Sequence, residues 1–192
     1  MTPPASLRGG VSRRTTAAAA GLIALLLAIL YTIGIGVTLA ARLPWDLPIP
    51  VAVRIAGGVL AAVGAAFAAW VVATRRLAEV VDSSYATFVK LLRRIPVEER
   101  LGRTEPLVVA GPYRFVRHPM YTGVGGMALG IGVAVARTPA LLGAALLCAW
   151  FAAVVAPYEE KELRALFGEA YDAYRRTTPR FLPIRRPRSR AR

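Results

Sequence analysis

A chain of 192 residues, 56% of them apolar, with a formal net charge of +14, is of a size for one domain. Its apolar residues are gathered into four long uncharged runs, which excludes a signal peptide followed by a soluble domain. The runs lack two-residue alternation, which excludes a β-barrel pore, and a single cysteine, Cys148, excludes an intrachain disulfide.

The runs cover residues 17–41, 55–74, 119–136 and 138–158. Each is about long enough to cross a bilayer core of roughly 30 Å at about 1.5 Å per residue. The expected fold is an all-α integral membrane protein with about four transmembrane helices plus cytoplasmic amphipathic helices. The third and fourth spans are separated by Arg137, with Pro139 just beyond it; they read as a tight hairpin, the favoured arrangement, or as one long buried segment broken by Arg137.

The basic residues are placed unevenly. Three precede the first run, nine lie between the second and third, and ten follow the fourth. The two remaining connections hold only Arg42, Arg54 and Arg137. This asymmetry puts both termini on the cytoplasmic side and makes anionic phospholipids of that face the expected partner of the basic charge. Nucleic acid is not an expected partner, because the charge follows the membrane topology.

In chain order, residues 1–16 read as a disordered basic lead. The first span carries Gly21, Gly34 and Gly36, small residues that let helices approach closely in lipid. Residues 43–50, with three prolines, Trp45 and Asp46, read as an exterior connector. The second span is rich in Ala and Gly and should pack tightly against its neighbours. Residues 75–95 have apolar positions at helical spacing and read as an amphipathic surface helix, or an extension of the second span, ended by Pro96. The third span holds five glycines, which favour close approach of a helix or of a cofactor. After Pro157, residues 158–174 place Leu163, Leu166, Phe167, Ala170, Tyr171 and Tyr174 on one face of a helix, with an interruption expected at Gly168. Residues 178–187 contain three prolines and should be extended.

Residues 111–121, GPYRFVRHPMY, are the most informative stretch. They hold the chain's single histidine, His118, between Arg117 and Pro119, and their backbone is restricted by Pro112 and Pro119. A stiff polar loop at the mouth of an apolar helix can hold a small charged ligand, or can serve as a rigid loop whose arginines face headgroups. Glu159 and Glu160 open a cytoplasmic segment at the end of an apolar run. Being adjacent, they should point in different directions. They can form a solvated face or a salt bridge to Arg114 or Arg117, or can accept hydrogen bonds from hydroxyls or an ammonium group. One histidine without a nearby cysteine and carboxylate cluster is a poor zinc set, so no metal is expected. No P-loop and no GxGxxG before a helix is present.

GPYRFVRHPMYTG, a short helical hairpin, and PYEEKELRALFGEAYDAYRRTTPRFLP follow one another in residues 100–184. In this order and spacing they resemble the membrane methyltransferases of the isoprenylcysteine carboxyl methyltransferase and phospholipid N-methyltransferase superfamily. The resemblance implies an S-adenosyl-L-methionine pocket at the cytosolic face. It divides the chain into a basic lead (1–16), N-terminal membrane helices with a surface helix (17–110), a cofactor-binding core (111–184) and a basic tail (185–192). It implies that Gly111, Pro112 and Tyr113 shape the pocket and that His118 and Tyr121 contact the cofactor. Glu159 and Glu160 match the family's glutamate pair, at least one of which holds the cofactor. Arg117 would orient an acidic group of cofactor or substrate, and Tyr171 and Tyr174 would help close the site. Arg117, Glu159 and Glu160 are the catalytic candidates.

The implied activity is methyl transfer to a membrane-embedded lipid, with the amine of a phosphatidylethanolamine-type phospholipid favoured. The implied location is a bacterial-type inner membrane, multi-pass, with the site cytoplasmic. Prenylcysteine members carry a basic residue two positions before the proline of the closing segment. Here that residue is Thr177, with Arg175 and Arg176 adjacent. Carboxyl methylation of an isoprenylcysteine-like substrate is therefore the second reading. An NADPH-dependent membrane reductase, which shares the C-terminal architecture, and a non-enzymatic scaffold are the others.

Overall fold

The computed structural model describes residues 13–75 and 107–183, with side chains from Leu25 onward. Expectations for the lead before Arg13, for most of the 75–95 surface helix and for the 185–192 tail concern residues outside that range. The described residues are helical or in short connections, and none forms a strand element. The helices are α1 (Arg13–Ala40), α2 (Val51–Arg75), α3 (Pro119–Val135), α4 (Thr138–Trp150) and α5 (Ala156–Thr177). A short 3-10 helix (Gly111–Arg114) precedes α3, and a π-helical segment (Phe151–Val155) joins α4 to α5.

The element bounds differ from expectation in two places. α1 opens at Arg13, so Arg13 and Arg14 belong to it rather than to the lead. α2 opens at Val51, directly after Pro50, whose carbonyl accepts the Val53 and Arg54 amides. The rigid φ of proline suits such a helix start.

Packing runs as a row: α2 against α3, α3 against α4, and α4 against α1. The α2–α3 contact rests on missing side chains. A Cβ at Gly57 would stand 2.9 Å from the Gly130 carbonyl oxygen, and one at Gly64 would stand 2.5 Å from the Met127 amide nitrogen. Reciprocally, a Cβ at Gly123 would stand 2.8 Å from the Ala68 nitrogen. The two backbones therefore touch over about three turns, the close approach that small residues permit in lipid. α1 meets α4 the same way, since a Cβ at Gly34 would lie 2.5 Å from the Pro139 carbonyl oxygen.

Only Ala136, in the left-handed region (φ 56°, ψ 39°), and Arg137 separate α3 from α4. The 41–50 segment is pinned to this turn. Leu47 donates its amide to the Ala136 carbonyl at 2.9 Å, Thr138 donates to the Trp45 carbonyl at 3.0 Å, and Arg137 pairs with Asp46 at 2.9 Å. What composition marks as a connector is thus a clasp at the end of α3 remote from residues 111–121.

Among the described residues, Val51–Arg75 and the continuous helical stretch Thr138–Thr177 are long and apolar enough to cross a membrane. Their apolar side chains mostly face outward: Val51, Ile55, Val59 and Val63, spaced by four along α2, are all exposed. An exposed apolar stripe of that length suits a lipid surrounding. The 40-residue stretch would measure about 60 Å, roughly twice a bilayer core. Its charges begin at Glu159, so the apolar half, residues 138–158, is the part that can span, and α5 projects beyond it. Gly168 (φ 49°, ψ −122°) breaks α5 where an interruption was expected.

Candidate functional site

The loop before α3 is built by restricted residues. Gly111 has φ +60°, a value other residues resist, and a Cβ there would meet the Thr74 methyl at 3.1 Å. Pro112 and Val116 are buried. Pro119 occupies the first position of α3, where its missing N–H costs nothing. The backbone N–H groups of Arg117 and His118 donate to the Pro179 and Arg180 carbonyls at 2.9 and 3.1 Å. Thr122 donates its hydroxyl to the Phe181 carbonyl at 2.9 Å. Residues 178–183, entered through extended Thr178, thus form a strap across the start of α3.

α5 presents its first turn to this strap. His118 lies between the two adjacent glutamates. Its Nδ1 is 3.4 Å from Glu159 Oε2 and its Nε2 is 3.3 Å from Glu160 Oε1. The expectation that the glutamates point in different directions is corrected here: both converge on one imidazole, one at each ring nitrogen. Burial alone would lower the His118 pKa, but the two carboxylates outweigh it and hold the ring above its ordinary 6.5.

The glutamates differ in their other partners. Glu160 is 7% exposed and receives Arg117 Nη2 at 2.8 Å together with a two-pronged contact from Arg180, Nε at 2.9 Å and Nη2 at 2.6 Å. Burial pushes its pKa up, while the bonds from His118 and Arg180 and the charge of Arg117 prevail and hold the carboxyl well below the usual carboxylate range. Glu159 is 20% exposed and accepts a hydrogen bond from the Tyr121 hydroxyl at 2.6 Å.

Arg117 also donates through Nη1 to the Arg175 carbonyl at 2.9 Å and to the Thr178 carbonyl at 3.3 Å. Its role in the structure is to tie Glu160, the end of α5 and the strap together. Tyr174 donates to the Tyr113 carbonyl at 2.5 Å, which fastens α5 to the 3-10 helix. Tyr171 is fully buried. Burial and the neighbouring Glu160 charge push its phenol up to about 12. Its hydroxyl and Arg117 Nε are buried and find no hydrogen-bond partner among the described residues. Arg114, one of two arginines considered for the glutamates, stacks instead on Phe115, 4.7 Å from the ring centre.

Beside the polar cluster lies an apolar chamber of about 710 Å³, between α2, α3 and the π-helical segment. Phe67, Trp70, Leu129, Phe151 and Phe181 are among its walls. Tyr121 belongs to both regions: its ring lines the chamber and stacks on Phe151 at 4.6 Å, and its hydroxyl reaches Glu159.

The structure therefore brings Arg117, His118, Tyr121, Glu159 and Glu160 together, sets Tyr171 beside Glu160, and places Gly111, Pro112, Tyr113 and Tyr174 in the supporting shell. Sequence reasoning missed Arg180, Phe181 and Phe151. Arg180 reads locally as one more basic residue of a cationic C-terminus, and its flanking Pro179 and Phe181 are the only local signal that it is not solvated. Among the described residues, no group of three or more His, Cys, Asp or Glu side chains could hold a metal ion.

No curated protein and no solved structure matches the chain. A family model described as phospholipid methyltransferase matches residues 54–170. The match begins within α2, which the motif resemblance left out, and ends within α5 before the strap. It covers more than half of the 192 residues, and its range contains the loop, His118, Tyr121 and both glutamates. The chain belongs to the phospholipid methyltransferase family.

Proposed function

We propose that the protein transfers a methyl group from S-adenosyl-L-methionine to the amine of a phosphatidylethanolamine-type lipid. In this reading four spans cross the membrane, α3 and α4 form a hairpin, and both termini and the polar cluster face the cytoplasm. The observation that carries the reading is the position of Tyr121, in the wall of an apolar chamber and bonded to Glu159 of the polar cluster. A lipid acceptor needs an apolar berth that opens onto polar groups, and this residue joins the two.

The residues present fit the cofactor by their donor and acceptor chemistry. The buried Tyr171 hydroxyl and Arg117 Nε, unpartnered among the described residues, offer donors to its carboxylate or ribose oxygens. Glu159, the more exposed glutamate, offers an acceptor to its ammonium or hydroxyls. The cofactor supplies a methyl group already activated on a sulfonium, so no covalent nucleophile is required of the protein.

The chain's own residues then align groups, exclude water and move one proton. A lipid ammonium must lose a proton before its nitrogen can attack. Tyr121, donating to Glu159, gives that proton a route from the chamber wall to a carboxylate. Arg117 and Arg180 hold Glu160, which with Glu159 keeps His118 in one orientation. Arg180 meets Glu160 with both of its prongs and Arg117 spends Nη2 on it, which favours an amine acceptor over a carboxylate that would need an arginine of its own.

The test is methyl transfer by the purified full chain reconstituted in vesicles. Label from S-adenosylmethionine should enter the lipid when phosphatidylethanolamine is present and not in vesicles of phosphatidylglycerol alone. Label that enters only an added prenylcysteine would transfer the reading to carboxyl methylation.

A further inference from the structure

We propose that Arg180 is a positioning residue of this site, and that the 178–183 strap is the partition between its polar cluster and its apolar chamber. The inference rests on the methyl-transfer reading above. The strap bends at Arg180, Phe181 and Leu182 instead of running extended as the prolines of 178–187 suggest, and the bends send neighbouring side chains to different sides. Arg180 turns toward Glu160, making contacts at 2.9 and 2.6 Å. Phe181 turns the other way, lining the chamber and lying 5.7 Å from the His118 ring. Leu182 and Pro183 continue the chamber wall. Four further bonds from Arg117, His118 and Thr122 to strap carbonyls keep the segment in register.

One short segment therefore touches both halves. Its arginine sets the carboxylate that holds His118, and its next residue sets the boundary of the chamber. A guanidinium suits this task because its planar fork can meet both oxygens of Glu160 at once, whereas a lysine ammonium is a point charge. Arg180 is 38% exposed while Glu160 is 7% exposed, so the contact closes the polar cluster from its outer side.

The test compares Arg180→Lys, Arg180→Ala and Phe181→Ala in the full chain, reconstituted in vesicles of phosphatidylethanolamine and phosphatidylglycerol. The lysine variant keeps the charge and guards against loss of fold in the alanine variant. S-adenosylhomocysteine titration accompanies the kinetics. Arg180→Lys is expected to lower kcat about tenfold with the lipid KM within about twofold, the pattern of a lost alignment rather than of lost lipid binding. Phe181→Ala is expected to do the reverse, raising lipid KM more than it lowers kcat. If Arg180→Lys changes neither parameter, or if both variants change the same parameter in the same proportion, the partition is wrong while the methyl-transfer reading stands. If the wild-type chain neither binds S-adenosylhomocysteine nor transfers methyl, the functional reading fails and this proposal falls with it.

Discussion

The Tyr121 hydroxyl donates to Glu159 across 2.6 Å, from a ring that stacks on Phe151 inside an apolar chamber. Removing that hydroxyl leaves the wall in place and cuts the link. Tyr121→Phe should lower turnover by about a hundredfold, a general-base-sized loss, with lipid KM changed far less. Steady-state kinetics in vesicles check this. A rise in KM with kcat intact would mean that Tyr121 serves the chamber alone.

The two glutamates should separate into different phenotypes. Glu160 is buried among Arg117, Arg180 and His118, and removing it strands cations that are partly out of water. Breaking such a pair costs about 3–5 kcal/mol, an upper bound here because Arg180 is partly exposed. Glu160→Ala should therefore lower the detergent melting temperature together with activity. Glu159→Ala should abolish activity and S-adenosylhomocysteine affinity while lowering the melting temperature less than Glu160→Ala does, since Glu159 is the more exposed and meets no arginine of the cluster. Equal melting shifts in the two variants would contradict the division.

Stability should fall at both ends of the pH scale. Glu160 has a folded pKa below its ordinary 4.5, so its contribution is present above that value and lost as pH falls below it. His118 has a folded pKa above its ordinary 6.5, so its contribution is complete below 6.5 and lost as pH rises through the folded value. Melting temperature should accordingly decline on the alkaline side of 6.5, and His118→Gln should remove that alkaline slope without removing the acid one. The comparison needs only thermal melts from acid to alkaline buffer.

Adjacent glycines on α2 should respond oppositely. A Cβ at Gly57 would lie 2.9 Å from both the Gly130 oxygen and the Ala134 nitrogen, while one at Gly58 would meet nothing within 4 Å. Backbone cannot yield as a side chain can, so Gly57→Ala should destabilise by about 1–3 kcal/mol. Gly58→Ala should be neutral or slightly stabilising, since alanine is the better helix former. Melting of the two purified variants checks the contrast.

What was legible in the sequence follows from what is local. Uncharged runs mark helices because spanning length is a property of one segment, and the φ of Gly111 and the break at Gly168 follow from glycine being where chains turn. The prominence of residues 111–121 came from the residues themselves. The convergence of Glu159 and Glu160 on one ring was not legible, because it depends on where the π-helical segment rotates α5. Arg180 was hidden for the same kind of reason. Its partner Glu160 lies on another element, and a strap that returns to the start of α3 leaves no periodic trace. The Asp46–Arg137 clasp likewise pairs residues far apart in the chain, within a segment whose prolines read only as a connector.

The most direct measurement is calorimetric titration of the detergent-purified full chain with S-adenosylhomocysteine, with NADPH in parallel. The account predicts that S-adenosylhomocysteine binds, that NADPH does not, and that binding is lost in Glu159→Ala protein that still melts as a folded chain. Binding of NADPH alone would point to a reductase. Absence of binding by either ligand to folded protein would contradict the central claim that His118, Tyr121 and the two glutamates form a methyl-donor site.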